Sequence, residues 1–244
     1  MNIHKGFSFF NSRFTLLELK KALHETDADI VFLQEVVGEN LILSKKIQQW
    51  PTVSQSEFLA ENKWPHHAYG KNAIYSQRHH GNAILSRFPL EFAENISLST
   101  YRMEQRGLLH CAITIPQLET PLHLFNVHLD LTQMSRKRQL HKIIARAHSH
   151  VPTNSPLVLA GDFNDWSQQA SSILNESLQL QESSKVHHGD YQRSFPNFFP
   201  FLRLDRLYFR HLKIKSVNSW AHAPWSNLSD HLPLCIEFEI QSSS

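Results

Sequence analysis

The sequence contains no run of 18 consecutive apolar residues, so no transmembrane helix is predicted. Its first residues also lack the long apolar stretch of a secretory signal peptide. Only two cysteines are present, Cys111 and Cys235, each inside an apolar run, and no Cys/His spacing typical of a metal site accompanies them. Both read as small core residues that suit a reducing compartment. We therefore expect a cytoplasmic protein.

Strong charge is also absent, because the formal net charge is only +2. A mildly basic chain permits a phosphate-bearing ligand without requiring one. The hydrophobic content of 41% and the charged content of 19% are those of a soluble globular protein. With 244 residues and no linker, repeat or long low-complexity tract, the chain is expected to form a single domain, residues 1–244, and to be a monomer.

Hydrophobic periodicity predicts helices and short strands along the whole chain. Helices are expected over 14–25, 39–49, 54–61, 133–149 and 167–178. Strands are expected over 29–35, 67–75, 81–86, 90–98, 107–115, 122–129, 157–160, 204–209 and 235–240. Residues 181–194 are expected to be a polar loop.

The most informative stretch runs from Leu157 to Asp165, where an apolar strand is broken at Gly161. Asp162 and Asn164 follow with one residue between them, so strand geometry places them on the same side of the chain. A carboxylate and a carboxamide held there could orient an attacking water and hydrogen-bond a phosphate oxygen. Because Gly, Asp and Asn are also ordinary turn residues, an Asx-rich turn is an equal alternative.

Other polar residues lie at the ends of predicted strands. Glu35 closes an apolar strand, where a buried carboxylate needs a partner or a metal, but a solvent-exposed strand end is the alternative. His128 alternates with Asn126 and Asp130, so the three share a face that is either the wall of a site or solvated. Arg106 begins a strand, where it either reaches a phosphate or is solvated.

Three further segments have open roles. Asp230-His231 lies at a loop-to-strand junction and would suit a general base if another carboxylate fixed the imidazole ring. Residues 195–201 hold four phenylalanines and two prolines, which favours a packed aromatic loop over a stacking platform for a base or lipid. The basic residues from Arg136 to Arg146 favour a solvated helix face over a nucleic-acid contact.

Seven short motifs occur in one order along residues 2–240 and together resemble the endonuclease/exonuclease/phosphatase family, in particular its small bacterial members. The motifs are Asn2-Ile3-His4, Gln34-Glu35, Gly81-Asn82-Ala83-Ile84-Leu85-Ser86, Asn126-Val127-His128-Leu129, Gly161-Asp162-Phe163-Asn164, Leu204-Asp205-Arg206 and Ser229-Asp230-His231-Leu232-Pro233. The family includes pancreatic-type deoxyribonuclease, abasic-site endonucleases, bacterial sphingomyelinases and inositol-phosphate phosphatases. Its members have further apolar residues ahead of the position of Asn2, so we expect upstream residues in the natural product or a first strand with less pairing.

The resemblance implies an α/β fold, a four-layered α/β sandwich in which two mixed β-sheets pack face to face with flanking helices. It also implies that Glu35 binds Mg²⁺, or Mn²⁺ in its place, with Asn2 and Asp230 contributing. Such an ion would neutralise charge on the phosphoryl oxygens. It would also offset the repulsion among the converging carboxylates.

The catalytic roles are likewise implied by the resemblance. Asp162 would activate or orient the water, and Asn164 and His128 would hold phosphate oxygens. His231, kept in register by Asp205, would act as a base or stabilise the transition state. Two further residues are candidate substrate contacts, Arg106 and Asn82.

These roles predict a metal-dependent hydrolase of phosphodiester or phosphomonoester bonds, either a nuclease or a phosphodiesterase of phospholipids or other phospho-compounds. The expected partner is a phosphodiester substrate, a nucleic acid or a phospholipid head group, and no obligate protein partner is expected. The alternative is a non-catalytic nucleic-acid- or phospholipid-binding domain on the same fold. The fold alone would not decide between these two alternatives. Retention of every acidic and imidazole position favours the enzyme.

Overall fold

The computed structural model describes residues 1–100 and 105–239 as a mixed α/β protein with several sheets and five α-helices. None of the helices in these ranges is both long and apolar enough to span a bilayer. The helices are α1 (Leu16–Glu25), α2 (Gln55–Ala60), α3 (Gln133–His150), α4 (Gln169–Leu178) and α5 (Ser183–His188). The strands are β1 (Ile30–Asn40), β2 (His66–Tyr75), β3 (Arg78–Ser86), β4 (Leu90–Ser97), β5 (Gly107–Ile113), β6 (Leu122–His128), β7 (Leu157–Asp162), β8 (Gln181–Glu182), β9 (Asp205–Arg210), β10 (Lys213–Ser219) and β11 (Leu234–Glu239).

The described strands form sheets of six, three and two strands. The six-stranded sheet is mixed, in the order β4-β5-β6-β7-β9-β8, with β6 and β7 parallel. The three-stranded sheet, β1-β3-β2, is antiparallel throughout, and β10 pairs with β11 alone. The expectation of two mixed sheets is thus wrong, because the hairpin of β2 and β3 and the antiparallel docking of β1 leave no parallel pair among these three strands.

Three apolar clusters show how the layers pack. One, between the six-stranded sheet and helices α3 and α4, includes Phe125, Leu159 and Leu174. A second buries α1 and α2 against β1 and β3. The third lies between the two larger sheets, where Ile84 of β3 packs in the same cluster as Leu124 of β6. The sheets therefore face each other across a shared core, and helices cover their other faces.

Buried amides cross-link the two larger sheets. Asn126 on β6 donates from Nδ2 to the carbonyls of Leu33 (3.0 Å) and Ala83 (2.7 Å), and its Oδ1 accepts from Gln34 Nε2 (2.6 Å). Asn82 on β3 donates to the carbonyls of Gly107 (3.0 Å) and Asn126 (3.2 Å). Because an unpaired buried amide is costly, these bonds fix the two sheets in one relative position.

Most predicted elements are confirmed, and the exceptions have local causes. The helix predicted over 39–49 is wrong, since β1 stays paired with β3 as far as Asn40 and turns follow. The Asn40 side chain then accepts from the backbone N–H groups of Ile42 and Leu43. The polar loop predicted over 181–194 is also wrong in part, because β8 and α5 lie inside it, and β10 was not predicted. These elements are short and lack a clear apolar period.

The start of the chain forms no strand within the described residues. Asn2 makes an isolated parallel bridge with Gln34, and the Met1 ammonium donates to the carbonyl of Phe32 (2.8 Å). This agrees with the expected reduced pairing of the first strand.

A pair of buried histidines lies between α3 and the six-stranded sheet. His110 Nε2 lies 3.0 Å from His123 Nδ1, and Arg146 donates from Nε to His110 Nδ1 (3.0 Å). Burial, followed by the charge of Arg146, lowers the pKa of His110 to about 3. The imidazole of His110 is therefore neutral in the folded protein.

Both cysteines are free and Cys111 is fully buried, as expected for a core residue.

The neutral His110 predicts how stability depends on pH. Because its folded pKa lies below the unfolded value, the unfolded chain binds a proton between about pH 6.5 and pH 3 that the folded protein does not. The free energy of unfolding should therefore decrease as the pH is lowered through this window. This group should contribute up to about 1.4 kcal/mol per pH unit. Urea denaturation at a series of pH values measures that slope.

Replacing His110 with Phe, which fits beside the rings of Phe92 and Phe125, should remove this part of the slope even if it lowers stability at every pH. His141→Gln, at an exposed position on the same helix as Arg146, is the matched control and should keep the wild-type slope. An unchanged slope in His110→Phe would show that another group causes the acid sensitivity.

Candidate active site

Three of the predicted residues meet at one edge of the six-stranded sheet through strand register. His128 at the end of β6 pairs with Asp162 at the end of the parallel strand β7. Asp205 at the start of β9 pairs with Asp162 from the other side. Gly161 allows this close approach, since its φ is +147° and a Cβ there would overlap the carbonyl oxygen of Val127. The site therefore lies at the end of the sheet, with Asp162 at its centre.

His231 bridges two of these carboxylates. Its Nδ1 lies 2.7 Å from Asp205 Oδ2, and its Nε2 lies 3.7 Å from Asp162 Oδ2. Burial alone would lower the pKa of His231, but the charges of Asp205 and then Asp162 outweigh burial and raise it to about 10. The ring is therefore an imidazolium held between two carboxylates.

His128 approaches the same oxygen, but its ring is neutral where that of His231 is protonated. Its Nε2 lies 3.6 Å from Asp162 Oδ2. Burial, followed by the charge of Arg106, lowers the pKa of His128 to about 4. Two imidazoles thus flank one carboxylate, with one ring neutral and the other protonated near pH 7. Environments that push two pKa values apart in this way are typical of acid–base sites.

Glu35 reaches the site from the three-stranded sheet through a β-bulge. The pairing of β1 with β3 shifts between Leu33 and Val36, and Glu35 has φ +56°. Such a backbone is uncommon for a residue with a side chain, and bulges often re-aim one at functional sites. Burial alone would raise the pKa of Glu35, but Lys5, whose Nζ lies 2.6 Å from Oε2, lowers it strongly. Glu35 is therefore ionised, partly buried and paired with Lys5.

Asn2 connects Glu35 to Asp162. Its Nδ2 lies 3.4 Å from Glu35 Oε1 and 3.2 Å from Asp162 Oδ2, while its Oδ1 accepts from the backbone N–H of His4 (3.0 Å). Its carbonyl accepts from the Ser229 hydroxyl (2.8 Å). The structure thus brings together Asn2, Glu35, His128, Asp162, Asp205 and His231.

Asp230 and Asn164 lie at the site but have other contacts. Asp230 Oδ2 lies 3.8 Å from His4 Nδ1, and its Oδ1 accepts from the Ser229 hydroxyl (3.2 Å). Its ligation of a metal together with Glu35 stays a prediction. Asn164, with φ +48°, donates from its backbone to Asp162 Oδ1 (3.0 Å) and from Nδ2 to the Leu129 carbonyl (2.9 Å). Asn164 therefore positions Asp162, and its predicted phosphate contact stays untested.

Two sequence interpretations are not supported. Asn82 is buried, and its Nδ2 donates to carbonyls between the sheets, which leaves that group engaged away from a substrate. Asn126, His128 and Asp130 do not form a solvated face, since all three are buried. Of these three, only His128 approaches Asp162. The polar residues alternate as predicted, but both faces of β6 are buried. The alternation therefore does not distinguish an exposed face from a core face.

The aromatic segment differs from the favoured interpretation. Phe195 is half-buried, with its ring centroid 4.9 Å from that of His231, but Phe198, Phe199 and Phe201 are exposed. Packing is therefore wrong for these three residues. On α3, a solvated face holds for Lys137 and Arg138 but not for Arg136, which is buried with Nη2 3.9 Å from Asp165 Oδ1.

Sequence reasoning missed several residues that support the site. Lys5 binds Glu35, and Arg206 donates from Nη1 to Asp165 Oδ2 (3.2 Å) in the loop that follows Asp162. The motif containing Arg206 was noted, but its role was not. No local pattern could have paired Lys5 with Glu35, because the bulge at Glu35 creates that contact.

The oxygen-rich donor set fits a hard divalent cation. Within the described ranges, no group of three or more His, Cys, Asp or Glu residues is arranged so that it could hold a metal ion. Mg²⁺ usually retains several waters and uses one or two carboxylates, so it does not need such a group. Glu35 and Asp162, joined by Asn2, supply carboxylates of this kind, and Lys5 is the cation paired with Glu35.

Comparisons with known proteins find relatives in sequence and in fold. A model of the Endonuclease/Exonuclease/phosphatase family matches residues 2–231. The protein YbhP of Escherichia coli strain K12 is 42% identical over 240 residues, 98% of this chain and 94% of that protein. An endonuclease/exonuclease/phosphatase from Beutenbergia cavernae has a similar structure, with TM-score 0.76 at 18% identity over 98% of this chain and 70% of the other. A mannosyl-6-phosphatase from Bacteroides thetaiotaomicron gives TM-score 0.68 at 17% identity, over 92% and 90%.

The position of Glu35 predicts how Mg²⁺ affects thermal stability. A ligand that binds only the folded state raises stability by about 2.7 kcal/mol at 100 times its dissociation constant. Mg²⁺ should therefore raise the melting temperature of the wild type, and Glu35→Gln should lose most of that rise. Glu39→Gln, at an exposed position on the same strand, is the control. A full Mg²⁺ shift in Glu35→Gln, measured by scanning calorimetry, would remove Glu35 from the metal site.

Proposed function

The chain belongs to the endonuclease/exonuclease/phosphatase family, and on that premise we propose that it is a divalent-metal-dependent phosphodiesterase. The family consists of phosphoester hydrolases that commonly use divalent metals. The observation that carries the proposal is the environment of Asp162, whose Oδ2 has a neutral imidazole on one side and an imidazolium on the other. The three apolar clusters, one between the two larger sheets and one between each of these sheets and its helices, support the four-layered sandwich that the family resemblance implies.

Each residue of the site has a role in hydrolysis of a phosphodiester. Asp162 orients the attacking water and accepts its hydrogen bond. His231, which is protonated, donates from Nε2 to the charge that develops on the phosphoryl group, so the role of transition-state stabiliser is favoured over that of base. Asp205 keeps the ring in this charge state. His128, which is neutral, can donate a hydrogen bond to a phosphoryl oxygen without competing for the proton that His231 carries.

The metal would be held by Glu35, with Asn2 adjacent and Asp230 as the further candidate ligand. A bound divalent ion supplies neutralisation of the phosphoryl charge. Lys5 places a positive charge 2.6 Å from Glu35 Oε2. We expect Lys5 to shift toward a substrate phosphate when the carboxylate is otherwise engaged. Arg106 lies close enough to lower the pKa of His128 and is a second candidate cation for the phosphate.

Substrates of two kinds fit this site. Phosphodiesters of nucleic acids or phospholipid head groups are the proposed class, and phosphomonoesters are the second, since a mannosyl-6-phosphatase shares the fold. We further propose that the protein is a cytoplasmic monomer. These proposals come from the sequence and are open to test by fractionation and by light scattering.

Hydrolysis of bis(p-nitrophenyl) phosphate tests the proposed function without assuming a natural substrate. Activity should appear with Mg²⁺ or Mn²⁺ and disappear in excess chelator. p-Nitrophenyl phosphate measures the monoesterase alternative in parallel. A purified, folded protein with no activity on either ester, or on a panel of DNA, RNA and phospholipids, would favour the non-catalytic binding domain.

His231 and Asp205 should behave as one unit. Asp205→Asn and His231→Asn should each lower kcat by about two to four orders of magnitude, and the double variant should lose little more, because residues that share one role are not additive. Ser171→Ala, which removes a hydroxyl bonded to Tyr208 away from the catalytic residues, is a control for general effects of substitution. Multiplicative losses in the double variant would show that the two residues act separately.

A further inference from the structure

A group of three buried charged residues lies next to the strand ends that form the candidate active site. Asp165, Arg136 and Arg206 are 2%, 3% and 2% exposed. Arg206 donates from Nη1 to Asp165 Oδ2 (3.2 Å) and from Nη2 to the Asp165 carbonyl. Arg136 Nη2 lies 3.9 Å from the other carboxylate oxygen, Asp165 Oδ1. We name these three residues the buried triad. Two arginines from different elements, β9 and α3, thus share one carboxylate.

Arg206 connects two segments that carry candidate catalytic residues. It follows Asp205 at the start of β9, and its partner Asp165 follows Asn164 in the segment after β7. Because Arg206 binds both the side chain and the carbonyl of Asp165, its planar guanidinium fixes the orientation of that segment as well as its distance. The start of β9 and the segment after β7 therefore meet through one rigid contact.

Arg136 connects the third strand end of the site. From near the start of α3 it donates from Nη1 to the carbonyls of Asp130 (3.3 Å) and Leu131 (2.6 Å). These two residues lie just beyond His128, the last residue of β6. Since the same guanidinium faces Asp165, it contacts the segments that follow β6 and β7 together. All three strand ends of the site are thereby connected to one buried carboxylate.

The carboxylate of Asp165 keeps its charge in this buried position. Burial alone would raise the pKa of Asp165, but hydrogen bonds from the Ser167 hydroxyl (2.6 Å) and the Ala170 backbone (2.9 Å) lower it. The charges of Arg206 and then Arg136 act in the same direction, so the pKa lies below its ordinary value. Asp165 is therefore ionised, and both arginines have a negative partner.

Fold stability alone does not require charged residues here. Buried ionic groups are weak stabilisers, and apolar residues of similar volume often replace them without loss. At the opposite end of β9, the buried Arg210 donates only to backbone carbonyls, those of Pro152 (2.9 Å), Leu178 (3.3 Å) and Ser155 (3.4 Å). An arginine–carboxylate contact adds a fixed geometry. The buried triad supplies that geometry at the end of the sheet where the candidate catalytic residues converge.

The site tolerates little movement of these strand ends. Asp162 Oδ2 lies 3.6 Å from His128 Nε2 and 3.7 Å from His231 Nε2. His231 is in turn held by Asp205, 2.7 Å away. These residues come from separate segments of the chain, so their distances depend on how the segments are held. A misplacement of about 1 Å can cost about a hundredfold in rate.

We propose that Asp165 is a positioning residue of the active site and that it acts through Arg206 and Arg136. The buried triad holds the ends of β6, β7 and β9 in the arrangement that sets Asp162 between the two imidazoles. Asp165 does this without contacting the reacting atoms. The effect on catalysis rests on the proposed function, whereas the effect on the geometry of the site does not.

Arg206→Lys tests the proposal against a matched control. Lysine keeps the charge but cannot bind the side chain and the carbonyl of Asp165 with one planar group. For bis(p-nitrophenyl) phosphate, kcat should fall by about tenfold to a hundredfold, while KM should change little because no substrate contact is removed. Arg210→Lys makes the same substitution at a buried position on the same strand. It should lower the melting temperature but keep the wild-type kcat.

Asp165→Asn removes the shared charge with little change in shape. Its kcat should fall in the same range, and Asp165→Asn/Arg206→Lys should lose little more than either single variant, because residues that share one role are not additive. Arg136→Gln cuts only the connection to β6 and serves if Asp165→Asn does not fold at the assay temperature. It should also lower kcat without raising KM.

An NMR measurement without turnover separates this proposal from the proposed function. Long-range ¹H–¹⁵N spectra report the surroundings of each imidazole ring. Arg206→Lys should shift the resonances of His128 and His231, which flank Asp162, and leave that of the distant His110 in place. Arg210→Lys should leave the resonances of His128 and His231 in place.

The proposal fails if Arg206→Lys keeps the wild-type kcat and the wild-type imidazole resonances. It also fails if Arg210→Lys loses as much kcat as Arg206→Lys does, because the triad would then act through general stability. A rise in KM with kcat unchanged would assign the triad to substrate binding and would overturn positioning. If the wild type hydrolyses neither ester but Arg206→Lys shifts the two resonances, only the phosphodiesterase is overturned.

Discussion

The contact on which the site depends is the set of buried amide hydrogen bonds between the two larger sheets. Asn126 joins β6 to β1 and β3, and Gln34 binds Asn126 from the position next to Glu35. His128 lies two residues beyond Asn126 on the same strand. Any shift of one sheet against the other would leave these amides unpaired, at a cost of about 1–3 kcal/mol for each group. The amides therefore set the distance between the carboxylate of one sheet and the imidazole of the other.

Electrostatic compensation is the second constraint. Glu35, Asp162 and Asp205 lie close together, and an unpaired buried charge would be prohibitive. Lys5 pairs with Glu35, and the imidazolium of His231 pairs with both aspartates. These pairs balance the charges of the site, so a phosphate or a cation that binds there must displace or supplement one of these partners. A site arranged in this way is prepared for charged ligands and has little to gain from neutral ones.

Sequence reasoning predicted the strands that end near His128 and Asp162, because strand period is a local property, but it ended β1 at Glu35 and β1 continues to Asn40. The grouping of Asp162, Asp205 and His128 was implied by the family resemblance that the order of the motifs carries, and strand register brings the three together. The bulge that aims Glu35 at Lys5 was not predictable, since it arises from the pairing of β1 with β3. The aromatic segment was misjudged for a similar reason. Whether Phe198 and Phe199 are covered depends on what packs above them, which no local pattern records.

The bond between the Ser229 hydroxyl and the Asn2 carbonyl joins residues 227 positions apart. Thr15 makes a similar long-range bond to the Leu228 carbonyl (2.7 Å). Contacts of such sequence separation form late in folding, because closing a long loop costs entropy before any contact repays it. During synthesis the ribosome would release His231 only after almost every other element had emerged. The residues of the site therefore could not all come together on a nascent chain until His231 has left the ribosome.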